Sequence, residues 1–475
     1  MRDLSLLPVV VVGAGPVGLA AAARLVERGL PFMVLEQGAA VAAAPRAWGH
    51  VRLFTPWRYA IDAAAERLLE AESWRAPDPE TLPTGAELVD RYLAPLARHG
   101  AIAPHLVLGA RVTAIGRAGL GKMSSDGRED TPFMVRWTDG AGAVHRTAAR
   151  AVLDASGTYG RPNPIGVDGL MVEGEAAAGE RIEAGLPDVL GSARAAYAGG
   201  RILVVGSGHS AINVVLDLVR LREEVPGTRI VWALRRGGVE RLVGGGRDDQ
   251  LRERGALGLR ARAAIEAGAV TLLAPLSVER IARTPDGLAV DTRMGDTPRR
   301  LDVDRIVVAT GFRPDLDILR EVRVALDPVV EATPMLAPLI DPNLHSCGTV
   351  RPHGAVELAH PERDFYIVGA KSYGRAPTFL MTTGYEQVRS VVAEIAGDHA
   401  AAREVRLVLP ETGVCNVPPA EAVAGCCGTP AVPADDGCCD GPAPTGDTCC
   451  AADAAARARG EGGCGCAAPA VTEAV

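Results

Sequence analysis

Pro8-Val9-Val10-Val11-Val12-Gly13-Ala14-Gly15-Pro16-Val17-Gly18, then a small-residue run and Val34-Leu35-Glu36, is the stretch whose reading decides the fold. Four consecutive valines are too short and too β-branched for a helix and specify a buried strand. Gly13 permits a tight turn, Gly15 lets the backbone approach a pyrophosphate, and Gly18 lets the next helix pack closely on its strand. That helix directs its N-terminal amides at phosphates. Glu36 follows Gly18 by eighteen residues, near the spacing at which an acid ends the second strand and accepts hydrogen bonds from a ribose. Strand, glycines, helix, second strand and terminal acid in register point to a dinucleotide site, with Gly13, Gly15, Pro16, Gly18 and Glu36 as its binding residues.

With 475 residues the chain suits two or three domains. A hydrophobic content of 48% and a net charge of −8 describe a mildly acidic globular protein, which argues against nucleic acid or an anionic membrane as the main partner. No segment reaches the roughly 18 apolar residues of a membrane span. The apolar N-terminal run leads into the glycine turn rather than a cleavage site, so the chain reads as cytoplasmic. Residues 1–346 contain no cysteine, Cys347 stands alone, and the other nine lie between Cys415 and Cys466. The body therefore owes nothing to disulfides.

After Glu36 comes a loop with Arg46, Trp48, His50, Arg52, Phe54, Trp57 and Arg58, rich in rings for a chain that is 4% aromatic. Periodicity predicts helices over 60–73 and 86–99, then strands over 107–115 and 133–137 of a small antiparallel sheet. A further strand, Ala151-Val152-Leu153-Asp154, runs into Gly157. Residues 160–200, rich in Pro and Gly, read as a hinge with short helices. The pattern then restarts: a strand over 202–205 leads into Gly206-Ser207-Gly208-His209-Ser210-Ala211 and a helix, with Gly206, Gly208, His209 and Ser210 as binding residues. The strand over 230–234 ends not on an acid but on Arg235-Arg236, with Arg241 close by. An acid there accepts from a free 2′-hydroxyl, whereas guanidinium groups suit a 2′-phosphate, which favours NADPH over NADH. Ile306-Val307-Val308-Ala309-Thr310-Gly311 is another strand ending in a glycine turn. Phe365-Tyr366-Ile367-Val368-Gly369 is a last strand, followed by a loop and an amphipathic helix over 384–395.

Two fingerprints with Ala309-Thr310-Gly311 after the second resemble the two-dinucleotide-binding-domain flavoproteins: thioredoxin and glutathione reductases, flavin-containing monooxygenases and Baeyer-Villiger enzymes. The resemblance covers residues 8–397. It implies an α/β fold of two Rossmann-like domains, the second inserted in the first. FAD would lie on the first fingerprint and NADPH on the second, Gly311 marking the return to the FAD domain. The expected boundaries are 1–165 and 305–410 for the FAD domain and 166–304 for the NADPH domain with its hinge. The loop after Gly369 and the helix from Gly384 would lie against the flavin ring. Many relatives carry an aspartate after that glycine, where this chain has Ala370-Lys371.

A disulfide reductase needs a cysteine pair beside the flavin, and the body holds none. What remains is similar to the monooxygenases, in which NADPH reduces the flavin and a dry pocket protects the oxygen chemistry. Their Phe-x-Gly-x-x-x-His signature before the second fingerprint is missing from 186–200, which offers Tyr197 alone. Candidate catalytic residues are Lys371 and Tyr373, to polarise the ring or a substrate, and His50 as a proton donor. His209, at the first turn of its helix, would face nicotinamide or pyrophosphate.

Residues 411–475 are rich in Ala, Gly, Pro, Thr and Asp and predict a flexible, disordered tail without a core. It carries Cys426-Cys427, Cys438-Cys439, Cys449-Cys450 and Cys464-Gly465-Cys466. Adjacent cysteines pair only through a strained ring, but as thiolates they converge on one soft ion such as As(III), Cu(I), Hg(II) or Zn(II). Together with the body, this tail resembles the flavin monooxygenases of bacterial arsenic-resistance operons. In that reading the doublets capture a metalloid substrate and Cys347, in His345-Ser346-Cys347-Gly348 a few residues before His353, receives it. Two other readings stay open: a metal-sequestering protein with a redox body, and a reductase that moves flavin electrons onto tail cysteines. The substrate is a small molecule or a metalloid, and a homodimer is among the assemblies left open.

Overall fold

Val9–Val12 is the middle strand of a five-stranded parallel sheet ordered Phe365–Ile367, Ala151–Asp154, Val9–Val12, Phe32–Glu36, Leu106–Leu108. All four valines are buried, because both faces of the sheet are covered. Val9 and Val11 face the helices Pro16–Glu27 and Met381–Ile395, in a core with Leu19, Leu25, Val388 and Val391. Val10 and Val12 alternate to the other face and meet Ile115, Phe133 and Val135 of a three-stranded antiparallel sheet, Arg111–Arg117, Phe133–Thr138 and Val144–Ala149. The computed structural model describes residues 4–238, 252–344, 350–377 and 379–407. The chain divides into two units, 1–416 and 417–475, and every described residue belongs to the first.

A second five-stranded parallel sheet runs Thr271–Leu273, Arg229–Ala233, Arg201–Val205, Arg305–Val308, Ile182–Ala184. Its helices are His209–Glu224 and Arg252–Glu266, and an antiparallel sheet of Ser277–Thr284, Gly287–Met294 and Thr297–Val303 packs on its other face. All these strands fall in sequence between Ala151–Asp154 and Phe365–Ile367 of the first sheet. The second domain is thus an insertion in the first.

Three elements differ from expectation. Arg305–Val308 pairs with Arg201–Val205 and Ile182–Ala184, so the second domain ends after this strand rather than at 304. The 160–200 segment supplies an edge strand, Ile182–Ala184, which Pro and Gly punctuation had hidden. The 107–115 run breaks at Gly109 (φ +69°), whose N–H donates to the Gly38 carbonyl at 2.9 Å. Its first half closes the parallel sheet and its second half opens the antiparallel one, a change of partner that alternation cannot reveal.

The first helix is pressed onto the turn that feeds it. Gly13 has φ +97°, and a Cβ at Gly18 would lie 1.9 Å from the Gly13 carbonyl oxygen. Val17 meets the last segment in the same way: a Cβ at Gly384 would lie 2.5 Å from the Val17 side chain, and one at Gly369 3.2 Å from it. Far from this contact, Glu362 is buried between Arg117 (2.9 Å) and Arg128 (2.7 Å). It fastens the 119–130 loop to the segment entering the last strand, and Arg117 also covers the Phe133 ring at 3.7 Å. Burial pushes the Glu362 carboxyl up, but the two guanidinium groups hold it below the ordinary carboxylate range.

Gly18→Ala should destabilise the fold by about 3 kcal/mol, because the overlapping atom is backbone. Gly15→Ala should cost less than about 1 kcal/mol, since a Cβ there meets nothing within 4 Å. Denaturant unfolding of both variants checks the contrast. Glu362→Gln should cost about 3 kcal/mol near neutral pH. A carboxyl with a depressed folded-state pKa stabilises above its unfolded pKa and loses that contribution as pH falls through the folded value. The difference between wild type and Glu362→Gln should therefore shrink in acid.

Candidate functional site

At the carboxyl ends of the first sheet lies a cavity of about 850 Å³. Gly13, Gly15 and Pro16 form one end of it, where the first helix begins. A Cβ at Gly15 would project into open space, so the backbone there is bare to a ligand. Glu36 is buried at the end of its strand, where Oε2 accepts the Ala14 N–H at 2.7 Å and Oε1 accepts the Gly38 N–H at 2.8 Å. It shapes the turn while keeping lone pairs for a ribose hydroxyl. Trp48, Phe54, Phe379 and Met381 give the cavity an apolar wall. Bare amides at a helix start, a buried carboxylate and a long apolar slot fit the pyrophosphate, ribose and ring system of FAD.

The second fingerprint is built the same way. Gly206 has φ +135° and a Cβ there would lie 2.2 Å from the Ala309 carbonyl oxygen, whereas a Cβ at Gly208 would meet nothing. Trp232 fixes the turn by donating its indole N–H to the Gly206 carbonyl at 2.7 Å. His209 begins the helix with its ring against Phe54 of the first domain (5.2 Å between centroids), and Ser210 follows in its first turn. Arg235 and Arg236 are exposed at the strand end, Arg235 donating to the Val167 carbonyl at 3.2 Å. Two exposed guanidinium groups beside this turn fit a 2′-phosphate.

Other expected residues are placed differently. Lys371 has a side chain with no exposure, its Nζ 2.7 Å from Asp154 Oδ2 and 3.1 Å from Ser156 Oγ. Its charge is matched by a buried carboxylate, so it secures the loop and does not reach toward a ligand. Tyr373 is also buried, edge-on to Phe379 at 5.1 Å, with burial raising its phenol above the ordinary range. It packs in the core behind the cavity. His50 is half-buried and lines a second cavity of about 440 Å³ with Asn213, Asp217 and Arg220 of the His209–Glu224 helix. Burial pushes the Asp217 carboxyl up, opposed by Arg220 and His50. Lys371, Tyr373 and His50 therefore do not converge on one reacting atom. Gly311 (φ +90°) belongs to the crossover between domains, where its carbonyl accepts the Asn163 N–H at 2.9 Å. Cys347, Arg241 and the tail residues Cys426, Cys427, Cys438, Cys439, Cys449, Cys450, Cys464 and Cys466 lie outside the described residues.

Sequence patterns missed several groups around these cavities. Asp154 and Ser156 anchor Lys371, and Ser156 Oγ donates to Asp154 Oδ1 at 2.6 Å. Leu53 was also missed; with Phe54 of the aromatic loop that the sequence singled out, it lines both cavities and forms the partition between them. His353, read beside Cys347 in the sequence, has both ring nitrogens engaged, Nδ1 with the Arg351 carbonyl and Nε2 with Gln387. Among the described residues no group of three or more His, Cys, Asp or Glu side chains could hold a metal ion. No helix among them is long and apolar enough to cross a membrane.

Comparison with known proteins agrees with this geometry. Over 217 residues the chain is 30% identical to the probable indole-3-pyruvate monooxygenase YUCCA9 of Arabidopsis thaliana, covering 44% of each chain. Over 223 residues it is 29% identical to the rice indole-3-pyruvate monooxygenase YUCCA1, covering 44% of this chain and 45% of that one. The match thus spans less than half the length of these curated relatives. Among solved structures, the Bacillus cereus bacillithiol disulfide reductase Bdr superposes with a TM-score of 0.61 at 17% identity, over 82% of this chain and 98% of that one. The cadaverine monooxygenase DfoA of Erwinia amylovora, bound to FAD, gives 0.58 at 15%, over 85% and 97%. Both show the shared fold. The profile of the pyridine nucleotide-disulphide oxidoreductase family matches residues 7–361. With two glycine cradles on two parallel sheets, the chain belongs to the pyridine nucleotide-disulphide oxidoreductase family.

Proposed function

We propose that the protein is an NADPH-oxidising, FAD-dependent monooxygenase whose cysteine tail binds a soft metal ion or metalloid. One observation carries the choice of branch: the cavity that fits FAD has an apolar wall of Trp48, Phe54, Phe379 and Met381 and, among the described residues, no cysteine in its lining, while the body's sequence holds no cysteine pair. A reductase of ordinary form needs a dithiol at that wall. The plant relatives are indole-3-pyruvate monooxygenases by name, which supports oxygen as the electron acceptor. The balance is one substrate, O2, NADPH and a proton to oxygenated substrate, NADP+ and water. Bound FAD supplies hydride acceptance and oxygen activation.

The chain's own residues bind, orient and exclude water. Amides of the Gly13–Gly18 turn and the Glu36 carboxylate hold the first nucleotide. The Gly206–Ser210 turn, with Arg235 and Arg236, holds the second. The Phe54 and His209 rings meet where the two domains face each other. Apolar side chains along the wall keep the slot dry, which limits wasteful release of reduced oxygen.

The tail supports the second half of the proposal by composition: three Cys-Cys doublets and one Cys-Gly-Cys among Gly- and Pro-rich spacers. Paired thiolates suit As(III) above harder ions. A metalloid substrate, and a place for this chain in arsenic resistance, follow from that chemistry. The reductase reading rests on the same cysteines serving as electron acceptors.

Purified full-length protein should be yellow and should consume O2 with NADPH when substrate is present. Anaerobic reduction of tail disulfides by NADPH, without O2 uptake, would select the reductase instead. Replacing Arg235 and Arg236 by Ser should raise the KM for NADPH by roughly 10- to 100-fold and leave that for NADH nearly unchanged. Arsenite titration should show tight binding by the full chain and none by a chain ending at Pro410. Equal binding by both would remove the tail from the function.

A further inference from the structure

Gly369, at the end of the last strand, opens the loop whose residues Gly369, Ala370 and Lys371 form part of the wall of the large cavity. Besides the Lys371–Asp154 pair, one buried amide side chain ties this loop down. Gln387, on the helix Met381–Ile395, has no solvent exposure. Its Oε1 accepts the Gly369 N–H at 2.7 Å. Its Nε2 lies 2.8 Å from Ser372 Oγ and 2.9 Å from His353 Nε2. Ser372 Oγ in turn donates to the Gly369 carbonyl at 2.8 Å, closing the loop on itself.

Each proton in this network is fixed by its neighbour. A backbone N–H only donates, so the Gln387 oxygen must face Gly369 and its NH₂ must face Ser372 and His353. His353 Nδ1 lies 2.9 Å from the Arg351 carbonyl, which only accepts. The ring proton therefore sits on Nδ1, and Nε2 presents the lone pair that the Gln387 NH₂ requires. A second proton on the ring would set an N–H against an NH₂ in a site without water access. Burial disfavours that charged form, while Glu357 and Glu386 act in the opposite sense. Both carboxylates are already committed: Glu357 Oε2 accepts the Gly354 N–H at 2.8 Å, and Glu386 pairs with Arg389 at 2.7 Å. The remaining face of the ring meets the uncharged Tyr373 ring at 5.6 Å.

We propose that Gln387 and His353 are positioning residues for FAD, holding the Gly369–Lys371 backbone as a fixed wall of the cofactor cavity only while His353 is neutral. The inference rests on FAD occupying this cavity and goes beyond it by assigning cofactor retention to two side chains that do not line it. It predicts opposite pH behaviour in two nearly isosteric proteins. In wild type, protonating His353 breaks the contact to Gln387, so FAD release quickens as the pH falls. In Gln387→Glu the carboxylate still accepts from Gly369, but its second oxygen faces the lone pair of neutral His353. An imidazolium relieves that repulsion, so FAD release from this variant quickens as the pH rises.

The test is the rate of FAD release from full-length holoprotein, followed by recovery of free-flavin fluorescence from about pH 8 down to about pH 4, because burial moves the His353 transition below its ordinary range. Far-UV circular dichroism at each pH restricts the measurement to folded protein. The expected change is at least about tenfold over this range, in opposite directions for wild type and Gln387→Glu. His353→Gln, which supplies an oxygen acceptor that does not titrate, should retain FAD with a flat profile. If Gln387→Glu fails to fold, the comparison of wild type with His353→Gln decides alone. Parallel profiles in proteins that retain FAD would overturn the inference and leave the cofactor assignment standing. A folded wild type that takes up no FAD would overturn both.

Discussion

The approach of the first helix to its own feeding turn is the constraint on which the rest depends. With Gly18 packed on the Gly13 carbonyl, no side chain can intervene, and the N-terminal amides are held at the mouth of the sheet. Val17, one residue earlier, is thereby pushed toward Gly369 and Gly384. Those two glycines come from the far end of the chain, after the whole second domain has been threaded. The return segment is thus registered against the first helix by sterics, and the cavity is the space left between them.

Charge inside this domain is used to fasten segments rather than to do chemistry. Lys371 and Asp154 join the two strand ends beside the cavity, and Glu362 with Arg117 and Arg128 joins a surface loop to the last strand's entry. Such pairs add little net stability over apolar packing, but removing one partner strands the other in a low-dielectric interior. They therefore specify which segments meet. The absence of an aspartate after Gly369 fits this pattern: Ala370 adds no charge to the cavity wall, and the lysine that follows pairs with buried Asp154.

Two cavities share a wall and differ in their lining. The larger has the glycine cradle and the apolar lining, and the smaller has His50, Asp217 and the flank of the second domain's helix. Leu53 and Phe54 separate them, with Phe54 touching His209 across the domains. An aromatic-rich loop that looked anomalous in composition is thus the surface on which the two nucleotide domains meet.

The sequence by itself determined the two cradles and their order, and it carries the argument for a 2′-phosphate, because glycines, strand valines and a strand-end acid or arginine act over a few residues. It also marked the cysteine tail as a separate object, by composition alone. Only the tertiary structure decided that Arg305–Val308 completes the second sheet, that Lys371 is consumed by Asp154, and that Tyr373 and His50 lie apart. The same holds for Gln387 and His353, thirty-four residues apart and joined by one hydrogen bond. Local steric rules are written in adjacent residues, whereas the partner of a buried charge or amide is set by which distant segments the folded backbone brings together.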